Sequence, residues 1–120
     1  MEKKEVTIDG IVCIPKKNEL KIKDSNGNSM YMVRTYSAGV FYGYLYSIEG
    51  KTVILHNARR VWRWVGAATL SQLAQSGTTK PKQCKFPQHV SEIILTEAIE
   101  LIPVTEEALK TLEEVEIWKI

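Results

Sequence analysis

From residue 30 onwards the chain alternates. Met30, Met32, Arg34 and Tyr36 fall on one face of an extended segment and Tyr31, Val33 and Thr35 on the other, which predicts a strand from Met30 to Ser37. After Ala38-Gly39 the alternation resumes from Val40 to Ile48, with Tyr42, Tyr44 and Tyr46 on one face and Phe41, Gly43 and Leu45 opposite. Glu49-Gly50 reads as a turn. Thr52 to Trp64, rich in Val, Ile and Trp, is then the longest strand candidate and pairs across that turn with its predecessor. Upstream, β-branched residues flank Asp9-Gly10, so Val6 to Ile8 and Ile11 to Ile14 read as a short hairpin. Residues 15 to 28 are lysine-rich and end in Asp24-Ser25-Asn26-Gly27-Asn28, the composition of a surface turn.

Past Trp64 the pattern changes. Gly66-Ala67-Ala68-Thr69 opens a short helix from Leu70 to Ser76, stopped by Gly77. Residues 77 to 88 form a loop with Pro81, Pro87 and lysines 80, 82 and 85. The apolar positions of Val90 to Ile102 also fit a helical stripe, but Ile93, Ile94, Ile99 and Ile102 are β-branched and favour a strand over 93 to 102, ended by Pro103. Thr105 caps a second helix with Glu106 and Glu107 in its first turn and Leu109 and Leu112 inward, ending near Val115. Val115 to Trp118 reads as a short edge strand. The class is α+β: a mostly antiparallel β-sheet with two short helices, in one domain over residues 1 to 120.

A chain of 120 residues buries about two-thirds of its unfolded surface, so neither metal nor disulfide is required for a core. Cys13 and Cys84 are far apart, and the opening MEKKEVTIDG has no apolar run, which points to free thiols in a reducing, cytoplasmic setting. No segment has the ~20 apolar residues of a membrane helix. The net charge of +2 hides an asymmetry. Between Ser25 and Ser91 Glu49 is the only acid against eight bases, whereas Glu92 onwards holds eight acids and two lysines. The acidic tail neutralises the basic middle on one folded surface, or the middle offers a positive face to an anion.

All four arginines are Arg34, Arg59, Arg60 and Arg63, and Trp62 and Trp64 interleave with the last three. Guanidinium forks beside aromatic faces suit a ligand with phosphates and purine rings. The plainer alternatives are that Trp62 and Trp64 pack the sheet and that Arg34 pairs with Glu49 or a tail carboxylate. Catalysis finds little support, since only His56 and His89 are near-neutral bases and no serine or cysteine has a nucleophile's context. Cys84 and His89 are too few for a metal site, and residues 66 to 69 lack the Gly-Lys-Ser/Thr ending of an NTPase phosphate loop. No cofactor, metal or catalytic residue is expected.

The runs VRTYSAGVFYG from Val33, NARRVWRWVGAATLSQL from Asn57, Cys84-Lys85-Phe86 and EIILTEAIELIP from Glu92 resemble the phage Thoeris anti-defence family, in its first-described member class, over about residues 30 to 118. The resemblance implies a protein that binds without degrading the cyclic ADP-ribose isomers made by bacterial TIR-domain immune enzymes. It further implies cyclic trinucleotides at a separate oligomeric site, a homodimer or trimer of dimers, and a place in the infected host's cytoplasm. The chemistry of the residues themselves assigns Arg34, Arg59, Arg60 and Arg63 to phosphates and Trp64 or Phe86 to stacking on adenine. Asn57 and Thr96 are assigned to base or ribose hydroxyls. Ala67, Ala68, Thr69 and Ser71, at a helix N-terminus, form an expected second anion site. The rival reading is a phage module for single-stranded nucleic acid, and a third is an inhibitor acting only through protein contacts.

Overall fold

The computed structural model describes residues 22 to 119, so the hairpin expected around Asp9-Gly10, with Cys13, lies outside the described residues. The elements run β1 (Met30–Thr35), β2 (Val40–Glu49), β3 (Thr52–Val61), α1 (Leu70–Ser76), β4 (Val90–Leu95), β5 (Ala98–Pro103) and α2 (Glu106–Glu113). A 3-10 turn, Pro81–Gln83, interrupts the loop after α1. Every strand pairing is antiparallel, as the α+β expectation requires.

The expected strands are present with shifted ends. Asp24 folds the entry turn, accepting the N–H groups of Asn26 and Asn28 at its Oδ1. The Thr35 hydroxyl closes the β1–β2 turn, accepting from Ala38 N and donating to Gly39 O, with Gly39 at φ +100°. β3 ends at Val61, three residues before the expected Trp64, because β2 begins at Val40, the partner of Val61. Beyond that point Trp62 and Arg63 donate instead to Lys85 O. The single strand expected over 93 to 102 is broken by a bend at residues 96 and 97 into β4 and β5. The edge strand expected at 115 to 118 is reduced to a parallel bridge between Phe86 and Ile117.

The strand order is β4-β3-β2-β1-β5. Only two residues separate β4 from β5, yet they occupy opposite edges, so the sheet curls on itself and one bent strand covers both sides of the β1–β2–β3 meander. At the bend Ala98 N donates to Lys51 O and Tyr36 N to Glu97 O, which draws the start of β3 towards the end of β1. Inside the curl pack Val33, Phe41, Val53, Leu55, Ala58, Leu95 and Ala98. The close approach of strands there needs Gly43, where a Cβ would stand 2.9 Å from the Cα and Cβ of Ala58.

The opposite face of the meander carries Met30, Met32, Val40, Tyr42 and Val61, covered by Leu73 and Ala74 of α1 and Ala108, Leu109 and Leu112 of α2. The expected cap at Thr105 is formed, accepting from Ala108 N, and Thr69 caps α1 as well, accepting from Gln72 N. Burying each of the α2 leucines stabilises this layer by roughly 1.5 to 3 kcal/mol. Among the described residues no helix is long and apolar enough to cross a membrane.

Candidate ligand-binding site

The arginine cluster, contiguous in sequence, is taken apart by the fold. Arg59 faces the helical layer and is 2% exposed. Its Nε donates to Pro87 O at 2.8 Å, its Nη1 to Leu112 O and the Tyr42 hydroxyl at 3.3 and 3.4 Å, and its Nη2 to Phe86 O and Val115 O at 3.3 and 2.7 Å. Four carbonyls from two chain segments thus converge on one guanidinium, two of them around the C-terminal end of α2, where a cation is electrostatically favoured. Tyr42 in turn donates to Glu113 Oε2 at 2.6 Å, and His89 Nε2 lies 3.0 Å from the same oxygen. Burial and then the neighbouring Glu113 charge push the Tyr42 phenol far above its ordinary pKa, against the opposing pull of Arg59. Arg59 is a buried structural cation and not a ligand contact, which corrects the expectation.

Phe86 is corrected for the same reason. It is fully buried, edge-on to Tyr42 at 6.1 Å between ring centroids and under the Arg59 guanidinium, so no adenine reaches it. Trp64 is half-buried against the helical layer. Arg34 pairs with Glu100 at 3.1 Å on the β1–β5 edge, the tail-carboxylate partner weighed as the plainer alternative. Asn57 sits at a bulge of β3 with φ 51°, facing a cleft of about 120 Å³ that it shares with His89 and Glu113. Thr96 is exposed in the β4–β5 bend. The eight expected ligand residues therefore do not meet in one place.

The expected anion site at the start of α1 is also corrected. Thr69 Oγ1 accepts from Gln72 N, while Gln72 Oε1 accepts from Ala68 N. This reciprocal cap takes up the Gln72 and Ala68 N–H groups, and a helix of seven residues has a small dipole to offer. Ala67, Ala68, Thr69 and Ser71 are helix-capping surface.

What the fold does assemble is a second aromatic and basic group, reached by following the chain past β3. Residues 62 and 63 bridge to Lys85, and Trp118 N donates to Phe86 O, so three segments lie side by side. Trp62, 61% exposed, stacks on Trp118 with ring centroids 5.9 Å apart and planes 11° from parallel. Lys85 Nζ stands 5.5 Å from the centre of the Trp118 ring. Next to this stack opens a groove of about 450 Å³, with Lys82 and Lys85 among its lining, Glu114 and Glu116 as carboxylates, and Ile117 and Trp118 as apolar surface. Arg63, exposed and paired through its backbone with Lys85, forms no side-chain hydrogen bond or ion pair among the described residues.

Of the expected ligand residues only Arg63 lies on the segments that build this surface, through its backbone bridge to Lys85. Trp62 was legible as an aromatic beside arginines and Lys82 and Lys85 as loop cations, but Trp118 is the residue that joins them. Its signal was an apolar pair, Ile117-Trp118, on an otherwise charged tail. Among the described residues no three His, Cys, Asp or Glu side chains are grouped to hold a metal.

Fold and surface together describe a small α+β domain with a groove of mixed charge and an aromatic rim beside its C-terminal helix. The chain belongs to the family defined by a domain of unknown function, DUF6948, whose model matches residues 28–112. No curated protein and no solved structure matches it.

Proposed function

We propose that this protein is a non-catalytic sponge for nucleotide immune signals of the cyclic ADP-ribose type, held in the groove beside Trp118. In the infected bacterium it would thereby block TIR-based Thoeris immunity. The observation that carries the reading is the exposed Trp62–Trp118 stack with Lys85 over its ring, opening onto a groove lined by Lys82 and two glutamates. Each part of such a ligand has a chemical counterpart there. An adenine is attracted to an indole face, a diphosphate to Lys82 and Lys85, and ribose hydroxyls donate to carboxylates such as Glu114 and Glu116. A volume of about 450 Å³ lies in the usual range for small-molecule sites. The sequence resemblance to the Thoeris anti-defence family supports the same reading and adds assembly as a homodimer or trimer of dimers and cyclic trinucleotides at a separate oligomeric site.

A thermal-shift and calorimetric screen against cyclic ADP-ribose isomers and cyclic trinucleotides tests the proposal. Ligand at a hundred times its dissociation constant adds about 2.7 kcal/mol of stability. Trp118→Ala and Lys85→Glu should each abolish the shift, and heating the complex should release the intact signal in the amount added. Cleaved ligand in excess over protein, or parent-like binding by both variants, refutes the reading.

The wide exposure of Trp62 favours one alternative, a single-stranded nucleic acid laid across the stack. A polymer contacting several phosphates loses affinity steeply with salt, whereas a pocketed small molecule loses little. The slope of log affinity against log salt separates the two.

A further inference from the structure

Arg60 points away from the groove. Its guanidinium lies over the buried Phe41 ring, 4.4 Å from the centroid to Cζ, and its Nη1 donates to Ala38 O at 2.6 Å. These two contacts fix the plane of the fork. They leave the Nε and Nη2 N–H groups without a hydrogen bond, and the side chain without an ion pair, among the described residues. Beside it, between β2, β3 and β4, lies a cavity of about 240 Å³ whose walls are Phe41, Ala58, Pro87, Val90 and Ile93. Gln88 is its one other polar lining residue, and no second cation and no carboxylate lines it.

We propose that this cavity is a binding site for a small monoanion with an apolar body, namely an aromatic or short-chain carboxylate. The apolar walls suit a hydrocarbon body, because moving it out of water is favourable in proportion to the area covered. At ~30 Å³ per heavy atom, the volume share of a liquid water, the cavity of about 240 Å³ holds about eight non-hydrogen atoms, close to the count in benzoate. The free Nε/Nη2 edge presents two parallel donors, the geometry that a carboxylate accepts bidentately. One guanidinium matches one negative charge, which favours a carboxylate over a phosphate dianion. Phe41 and the Ala38 carbonyl hold the fork in place beforehand, so little rotamer freedom is left to lose on binding. The cavity shares no lining residue with the groove at Trp118, so the site stands whether or not the groove holds nucleotides.

The test uses the whole protein and two probes of equal shape, benzoate and uncharged benzamide, followed by NMR of the Val90 and Ile93 methyl groups. Benzoate should shift these signals saturably, with benzamide at least tenfold weaker, since a charge-assisted contact contributes about that factor or more. Arg60→Gln should bring benzoate down to the benzamide level, Ile93→Trp should fill the cavity and abolish both, and Trp118→Ala should leave both unchanged. Equal affinity for the two probes, or benzoate shifts that bypass Val90 and Ile93, overturns the proposal. That comparison is made on the parent protein and does not depend on any variant folding.

Discussion

Replacing Arg59 should unfold this protein more readily than any other single change to its arginines. Arg59→Ala removes five donated hydrogen bonds, of which those to Pro87 O and Val115 O are short. Bonds from a charged donor contribute roughly 1.5 to 3 kcal/mol each, so these two alone account for about 3 to 6. The longer three add less, and removing the charge recovers part of the desolvation cost of holding it inside. The net loss is estimated at about 3 to 5 kcal/mol, the range for breaking a buried ionic arrangement, from a total stability of about 5 to 15. Arg59→Lys keeps the charge but has three donors on one atom, which cannot span carbonyls on both sides of a planar fork, and should lose about 2 kcal/mol. Urea unfolding followed by tryptophan fluorescence measures both, with an unchanged slope showing that the transition remains the same. If Arg59→Ala stays within about 1 kcal/mol of the parent while losing ligand binding, the guanidinium serves a ligand and the structural role argued for it is wrong.

Three further outcomes follow from other positions. Gly43→Ala should cost about 1 to 3 kcal/mol of unfolding free energy, because its Cβ would press on Ala58 at 2.9 Å and Leu55 at 3.2 Å inside the curl; parent-like stability would mean that the strands part without penalty. The raised pKa of Tyr42 means that the folded state holds the phenol proton more tightly than the unfolded one, so its contribution is complete below about pH 10 and is lost above it; Tyr42→Phe should flatten the alkaline fall in melting temperature. Arg34→Gln should change stability by under about 1 kcal/mol and shrink further at high salt, since its pair with Glu100 is 53% and 40% exposed; a loss of several kcal/mol would show that the pair is not an ordinary surface one.

The strands were legible because alternation is a local property: Met30 with Met32 and Tyr42 with Tyr44 share faces whatever lies elsewhere. The site was much less so, and Arg59 and Arg60 show why. Adjacent residues in a strand point to opposite faces, so arginines that look like one cluster end in a core and beside a cavity. That four carbonyls from Phe86, Pro87, Leu112 and Val115 would meet Arg59 depends on long-range packing which no local pattern encodes. The cap on α1 was readable and was misread. Thr69 with Gln72 three positions on has the spacing of a capping box, so the small residues before Leu70 mark a capped helix start, with Gln72 N and Ala68 N taken up by side chains. The division of residues 93 to 102 was hidden for another reason: a bent strand keeps its β-branched composition through the bend, and only the identity of its two partners reveals the break.

That bent strand sets an order of events during synthesis. The β1–β2–β3 meander leaves the ribosome complete by Val61, with both of its edges still unpaired among the described residues, and the same late segment, residues 90 to 103, closes the two of them. Partners such as Tyr31 and Pro103 lie most of the described chain apart, so this closure is the slow, non-local step of folding. Until it occurs the nascent protein offers two templates for strand addition by its neighbours. A chain truncated anywhere before Val90 would therefore be exposed on both sides at once, and aggregation, more than simple unfolding, is the fate to expect of it.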